Sequence, residues 1–448
     1  MNQVESHELW LGKVAADWTR SRVRNVASLS PTYSSSIPAT DEPCTVVPME
    51  LLSEEGPIDT SNQQPFEDVQ SGLTLFEQGD VLIAKITPCM ENGKGAYVHQ
   101  LPTRYGFGST EFHVLRPSTR VNGKFLYYAT FNPVYRAYAA ENMTGAAGQK
   151  RVSSRFLKDT RFFFPQLDEQ ERIARYLDTS CAAIDKAVST KRTQLETLDA
   201  LRKGTIQRVV TRGIEDSRKL VATGNVWMEQ IPGGWSLVAL KRVCEVQTGL
   251  TLGKEYEGPL IERPYLRVAN VQDGHLDLED ITTIEVPAEI AARVELLPGD
   301  VLMTEGGDLD KLGRGYLWNG EIERCLHQNH IFAVRCFRHK LLPKFLTYLT
   351  ASHYGRDYFE ATGKRTTNLA STNSTKVGQF PLPLPELPEQ EKLVEYLDDQ
   401  IRRFRSIQSA HERQIKTLLA YRNSLIHECV TGQRRVTEAA LWPIQVHA

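Results

Sequence analysis

Net positive charge, paired cysteines and long apolar runs are all scarce in this sequence, and each absence removes a class of protein. The formal net charge is −2 over 448 residues, so no bulk basicity marks a nucleic-acid binder. Local patches of Lys and Arg stay open, because attraction to phosphate depends on where the charges sit. The seven cysteines, Cys44, Cys89, Cys181, Cys244, Cys325, Cys336 and Cys429, are odd in number and scattered, with no C-x-x-C. That is no disulfide framework, and it fits a reducing cytoplasm. No stretch approaches the ~18 apolar residues of a membrane span. The opening MNQVESHELW has no apolar run, so no secretory leader is expected. A cytoplasmic protein without a membrane partner is the expectation. The 24% charged and 41% apolar residues are ordinary for globular chains, and the length allows about three domains.

What is present is one unit written twice. Trp10 and Trp18 have the same spacing as Trp227 and Trp235. Gly79-Asp80-Val81-Leu82 returns as Gly299-Asp300-Val301-Leu302, and Lys124-Phe125-Leu126 as Lys344-Phe345-Leu346. PQLDEQERIARYLD from Pro165 returns as PELPEQEKLVEYLD from Pro385, and Val210-Thr211 as Val430-Thr431. From the Gly-Asp-Val-Leu motif onward, each partner lies the same distance downstream. A self-match at one long period means a repeated structural unit.

Each copy has two parts. Residues 1–165 and 222–385 mix short strand-like runs with Gly and Pro. VLIAKI and EFHVLR in the first, and PYLRVANV and HIFAVRC in the second, read as strands. Residues 166–221 and 386–433 read as a long helix and its linker, with 434–448 a tail. Asp168 with Glu171 has capping-box spacing, and Pro388 suits a first helical turn. Leu177, Cys181, Ile184, Val188, Leu195 and Leu198 fall on a and d positions of the first helix. Val394, Leu397, Ile401, Phe404, Ile415 and Leu418 do so on the second. The expected fold is α+β: two mixed domains, each followed by a helix about 65 Å long. The two helices are expected to pair as an antiparallel coiled coil with pseudo-twofold symmetry. Lys191 and His411 are equivalent polar d positions at mid-helix. They are expected either to meet at the pseudo-dyad or simply to occupy a wet layer.

Three patterns invite catalysis or metal binding. Gly145–Lys150 carries G-x-x-G-Q-K, but Gln149 breaks the Gly-Lys-Ser/Thr of a P-loop. A basic, flexible loop is the better reading, with Thr362-Gly363-Lys364-Arg365 its counterpart at a different loop length. Cys325, His327 and His330 could begin a zinc site, with Cys336 the nearest fourth ligand. On a strand, however, Cys325 and His327 share a face and His330 does not. Glu169 and Glu171, like Glu389 and Glu391, are two apart on a helix and do not face each other. They suit a first turn, where the helix dipole favours acid. No catalytic and no metal residues are expected, and no methyltransferase, Walker A or nuclease motif stands out.

At this point the residues resemble a known family. Two mixed domains, each followed by a helix opening on P-x-L-x-E-Q, look like the specificity subunits of type I restriction–modification systems. GDVLIAKITPCMENGKGA (79–96), GFGSTEFHVLRP (106–117) and TGAAGQKRVSSRFL (144–157) are similar to one version of a target recognition domain. IPGGWSLVALKRV (231–243), PYLRVANVQDGHL (264–276), LPGDVLMTEGGDLDKLGRG (297–315) and CLHQNHIFAVR (325–335) resemble another. The resemblance runs from Trp10 to about Gly432 and rests on order, spacing and duplication. It implies a non-catalytic reader of double-stranded DNA, each domain reading half of an asymmetric bipartite site. The helices would set the spacer and dock two methyltransferase subunits, and through them the motor–nuclease subunits. S-adenosylmethionine, ATP and Mg would then belong to those partners, and this chain would need no cofactor. The alternative is part of a fused or stand-alone restriction–methylation enzyme with its own catalysis.

Arg and Lys suit guanine and phosphate, and Asn and Gln suit adenine. In the first domain the expected DNA contacts are Lys85, Thr87, Asn92, Lys94, Ser109, Thr110, Lys150 and Arg151. In the second they are Arg267, Asn270, Lys311, Arg314, Gln328, Asn329, Lys364, Arg365 and Asn368.

Overall fold

The computed structural model describes residues 3–8, 10–53, 58–146, 148–215, 217–272, 274–307, 313, 315–365 and 370–441. They fall into two compact units. The first joins Met1–Lys191 to Glu412–Ala448; the second is Arg192–His411.

In the first unit, β1 (Ala27–Leu29), β2 (Val81–Ala84), β3 (Gly95–Tyr97) and β4 (Phe112–Pro117) form an antiparallel sheet in the order β1-β4-β2-β3. The whole of β2 is buried, and its period-2 alternation feeds two cores. Val81 and Ile83 join Phe125 and the long helices on one side. Leu82 joins Val47, Phe76 and Phe112 on the other. A second, mixed sheet follows the order Gln63–Pro65, Pro43–Val47, Gly106–Gly108, Thr74–Phe76. Helix α1 (Leu167–Arg212) leaves this domain. It starts one residue before Asp168. The Gln166 carbonyl accepts the Glu169 and Gln170 amides. Asp168 is therefore no capping residue; it lies in the first turn and pairs with Arg172 at 2.8 Å.

The second unit repeats the plan. Strands β5 (Cys244–Thr248), β6 (Asp300–Thr304), β7 (Gly315–Leu317) and β8 (Ile331–Cys336) give the antiparallel order β5-β8-β6-β7. Val301 and Met303 face the helical core, and Leu302 faces Trp318 and Leu266. Helix α2 spans Leu387–Val430.

The repeated motifs have atomic counterparts. Gly79 and Gly299 turn the chain with φ of +91° and +102°. The buried Asp80 then accepts the Glu77 amide at 2.8 Å and the Arg116 fork at 2.8 and 2.9 Å. Asp300 does the same with the Leu297 amide and Arg335, at 2.9, 2.7 and 2.9 Å. Hydrogen bonding to these aspartates raises the pKa of both arginines further. The Lys and the Tyr four residues later in each copy reach one helix carboxylate: Lys124 and Tyr128 to Asp178, Lys344 and Tyr348 to Asp398. The tryptophans cover helix ends. Gly213 and Gly432, with φ of +79° and +71°, lie against the Trp235 and Trp18 rings and cap the helices as glycine does in the left-handed region.

Each unit holds its own stretch of helix seam. Leu177, Cys181, Ile184 and Val188 are buried in the first unit with Leu425, Ile426 and Cys429, and Ile415 and Leu418 pack at its margin. Glu169 meets Arg435 at 2.6 Å and Asp185 meets Arg422 at 3.0 Å. Positions rise along α1 as they fall along the partner segment, so the pairing is antiparallel. In the second unit Ile206, Val209 and Val210 of α1 share a core with Leu393 and Leu397 of α2, with Val394 and Ile401 packed against it. Leu195, Leu198 and Phe404 are only half-buried, as are Lys191 and His411. Lys191 is the last α1 residue of the first unit, and His411 the last α2 residue of the second. Among the described residues, no helix is long and apolar enough to cross a membrane.

Candidate nucleic-acid interface

The end of β2 gathers most of the first-domain candidates. Lys85 follows the strand directly; its amide donates to the Glu111 carbonyl at 2.9 Å, and its carbonyl accepts the Val152 amide at 2.8 Å. Its ammonium caps the Thr110 carbonyl at 2.6 Å. Thr87 donates through amide and hydroxyl to the Lys150 carbonyl, at 3.0 and 3.2 Å. Ser109 uses its hydroxyl oxygen to accept the Glu111 amide at 3.2 Å. Arg151 bridges to both Ile86 and Thr144, and its fork grips Glu111 at 2.8–3.1 Å. Those hydrogen bonds hold the Glu111 carboxyl below its usual range and raise Arg151 further. Six of the expected residues, Lys85, Thr87, Ser109, Thr110, Lys150 and Arg151, thus share one patch. Lys150 and Thr110 are exposed there.

The remaining two sit on the Pro88–Lys94 turn. Asn92 is exposed, but Lys94 turns inward and donates to the Met49 carbonyl at 3.1 Å. Sequence reasoning missed Glu111, which orients Arg151. It also missed His113, buried below the patch with Nε2 at 2.8 Å from the Val152 carbonyl. An acid inside a basic run reads as an ordinary surface residue until the pairing is known.

The second domain disperses its candidates more. Arg267 is tied to Asp280 at 2.7 Å. Asn270 is buried, its oxygen accepting the Arg267 amide and its nitrogen donating to the Asp277 and Asp280 carbonyls at 2.8–3.0 Å. All three bonds serve the loop, so this amide is not presented outward. The sequence pattern NV-x-D-G hides that role because a short 3-10 turn, Val268–Asn270, interrupts the expected strand. Gln328 accepts the Val268 amide at 3.0 Å, and both Gln328 and Asn329 are half-buried. Lys364 is exposed at the start of a two-residue strand, Lys364–Arg365. Lys311, Arg314 and Asn368 lie outside the described residues, as does the Arg365 side chain.

The basic loops correspond more closely than their sequences indicate. Thr144 pairs with Arg151, and Lys364 with Ser371. The loop closed by each pair has the same length, so the expected length difference is corrected. It arose from aligning the Thr-Gly dipeptides instead of the paired positions. The C-x-H-x-x-H residues do not converge. Cys325 and His327 are buried, with His327 Nδ1 at 2.9 Å from the Ile331 carbonyl, whereas His330 is exposed and paired with Glu305.

The chain is thus a duplicated sheet-and-helix domain, with a polar loop frame at the same sheet end in each copy. The family model described as "Type I restriction modification DNA specificity domain" matches residues 55–197. The type I restriction enzyme EcoAI specificity subunit of Escherichia coli is 38% identical over 160 residues, which span 35% of this chain and only 26% of that protein. The EcoKI specificity subunit of Escherichia coli strain K12 is 25% identical over 355 residues, 78% of this chain and 72% of that protein. A chain solved in a study of complex assembly and conformational transition in the type I R-M system shares the fold. It covers 94% of this chain and 99% of its own length, with TM-score 0.73 and 18% identity. Over residues 55–197 the chain is similar to the type I restriction–modification specificity domain, and over nearly its whole length it shares the fold of the solved type I R-M chain.

Proposed function

We propose that this chain reads DNA sequence and performs no chemistry of its own. Each domain takes one half of an asymmetric bipartite duplex site, and the paired helices set the spacer. The helices also dock two methyltransferase subunits, through which the motor–nuclease subunits join. S-adenosylmethionine, ATP and Mg act in those partners. The observation that carries this reading is the patch at the end of β2. There the sheet end brings Lys150 and the clamped Arg151, on a closed loop, together with Thr110. Exposed cations supply phosphate attraction, and a held Arg fork supplies base selection. The two domains differ in sequence at nearly every presented position, which supports unlike half-sites.

Replacing Lys150 and Arg151 with Ala is expected to weaken duplex binding and to flatten the plot of log affinity against log salt by about 1–2 in slope. The unfolding midpoint should barely move, since both side chains lie at the surface. Equal affinity of variant and wild type across a salt series would reject the assignment. Mapping methylated adenines in a genome carrying this chain and its methyltransferase would give both half-sites at once. Methyl transfer by the purified chain alone would favour the enzyme alternative.

A further inference from the structure

We infer that Glu305 and His330 select bases in the second domain, at the positions that Lys85 and Glu111 occupy in the first. The inference rests on the DNA-reading function proposed above. The correspondence is set by backbone pairing, independent of residue type. Lys85 donates its amide to the Glu111 carbonyl at 2.9 Å, and Glu305 donates to the His330 carbonyl at 2.8 Å. The Lys85 carbonyl takes the Val152 amide at 2.8 Å, and the Glu305 carbonyl takes the Thr372 amide at 2.7 Å. The following residue carries the incoming loop in both: Ile86 pairs with Arg151, and Gly306 with Ser371.

One frame therefore holds two chemistries. In the first domain it holds Lys85, Glu111 and Arg151, with the acid clamping an arginine fork. In the second it holds Glu305, His330 and Ser371, with a histidine clamping an acid. The His330 side chain is 53% exposed and that of Glu305 27%. A carboxylate facing duplex DNA repels phosphate, so it suits a reading position only where it accepts from a base amino group. Cytosine N4 in the major groove offers that donor, as does adenine N6. His330 Nδ1 holds one Glu305 oxygen, Oε2. Among the described residues the second oxygen and His330 Nε2 have no hydrogen-bond partner, which leaves them for bases, and the rotamer is set before binding, which lowers the ordering cost. An isolated surface pair would be worth little to stability. A side-chain pair at the same frame in both copies, built from different residues, fits selection of different bases.

The test is enrichment of duplexes from a randomised library by the full chain, with and without a co-expressed methyltransferase subunit. Wild type should enrich two unlike half-sites. Glu305→Ala and His330→Ala should each relax one or two base pairs of the second half-site by about tenfold. Glu305→Gln, which adds a donor, should shift the preferred base there. The first half-site should be unchanged in all three, which also reports a folded chain. An unchanged second half-site, or equal loss in both, overturns the inference while the reading function stands. A wild-type chain that enriches no sequence overturns both.

Discussion

Gln390→Leu should make the second unit open about 10²–10³-fold more often, with no change in the first unit. Gln390 is fully buried. Its Oε1 accepts the Leu342 amide at 2.8 Å, and its Nε2 donates to the Lys340 and Pro385 carbonyls at 2.8 and 2.9 Å. One side chain thus ties the first turn of α2 to the loop before Pro343–Ala351. Leucine fills the same space but makes none of the three bonds. An orphaned buried polar group costs about 1–3 kcal/mol, so a loss of ~3–4 kcal/mol is expected for the set. Amide exchange measured by mass spectrometry resolves this locally. Gln170 is the built-in control. It accepts the Asn122 amide at 2.8 Å and donates to Arg120 and Pro165 at 3.3 and 2.9 Å. Gln170→Leu should loosen the first unit alone. Exchange rates near Leu342 that match wild type in Gln390→Leu would refute the role given to this residue.

Stability of the second unit should also fall by about 3 kcal/mol on acidification, through His327. The ring is fully buried, with Nδ1 at 2.9 Å from the Ile331 carbonyl and Nε2 without a partner among the described residues. Burial pushes its pKa down to about 4 from the ordinary 6.5. The unfolded chain therefore takes up the proton first. This contribution is complete above pH 6.5, is lost as pH falls toward 4, and levels off below that. In His327→Gln the amide can still donate to the Ile331 carbonyl but does not titrate in this range. The wild-type minus variant difference in unfolding free energy should carry the step. Parallel profiles between pH 7 and 4 would sink the claim. Buried carboxylates cannot mimic the difference, since both proteins share them.

Much of this was legible beforehand. The repeat at constant spacing anticipated two copies of one sheet-and-helix plan, because Gly-Asp, Lys-x-x-x-Tyr and Glu-Gln each serve the same hydrogen bonds twice. The apolar a and d positions anticipated the seam, since burial on a two-helix contact follows helical periodicity. What escaped was pairing over distance. Nothing local marks Glu111 as the holder of Arg151, or Lys94 as a donor to Met49. Asn270 is the instructive failure: its residue type suits adenine, but a 3-10 turn needs an amide of that length to close itself. The basic loops were matched by residue identity, whereas strand pairing aligns them by position. Sequence reasoning also ended each domain at its helix, whereas each compact unit takes a segment from both helices.

That last feature sets an order of assembly during synthesis. The second unit is one continuous stretch, Arg192–His411, but the first waits for Glu412–Ala448. Until Leu425, Ile426 and Cys429 emerge, the Leu177, Cys181 and Val188 stripe of α1 lacks its cover. Domains of a nascent chain usually mature in the order they are made. Here the later-made unit has all its residues before the earlier one does, and the earlier one's apolar helix face waits for its cover through more than two hundred residues of elongation. Translation speed and chaperone supply over that interval should therefore govern the yield of folded chain.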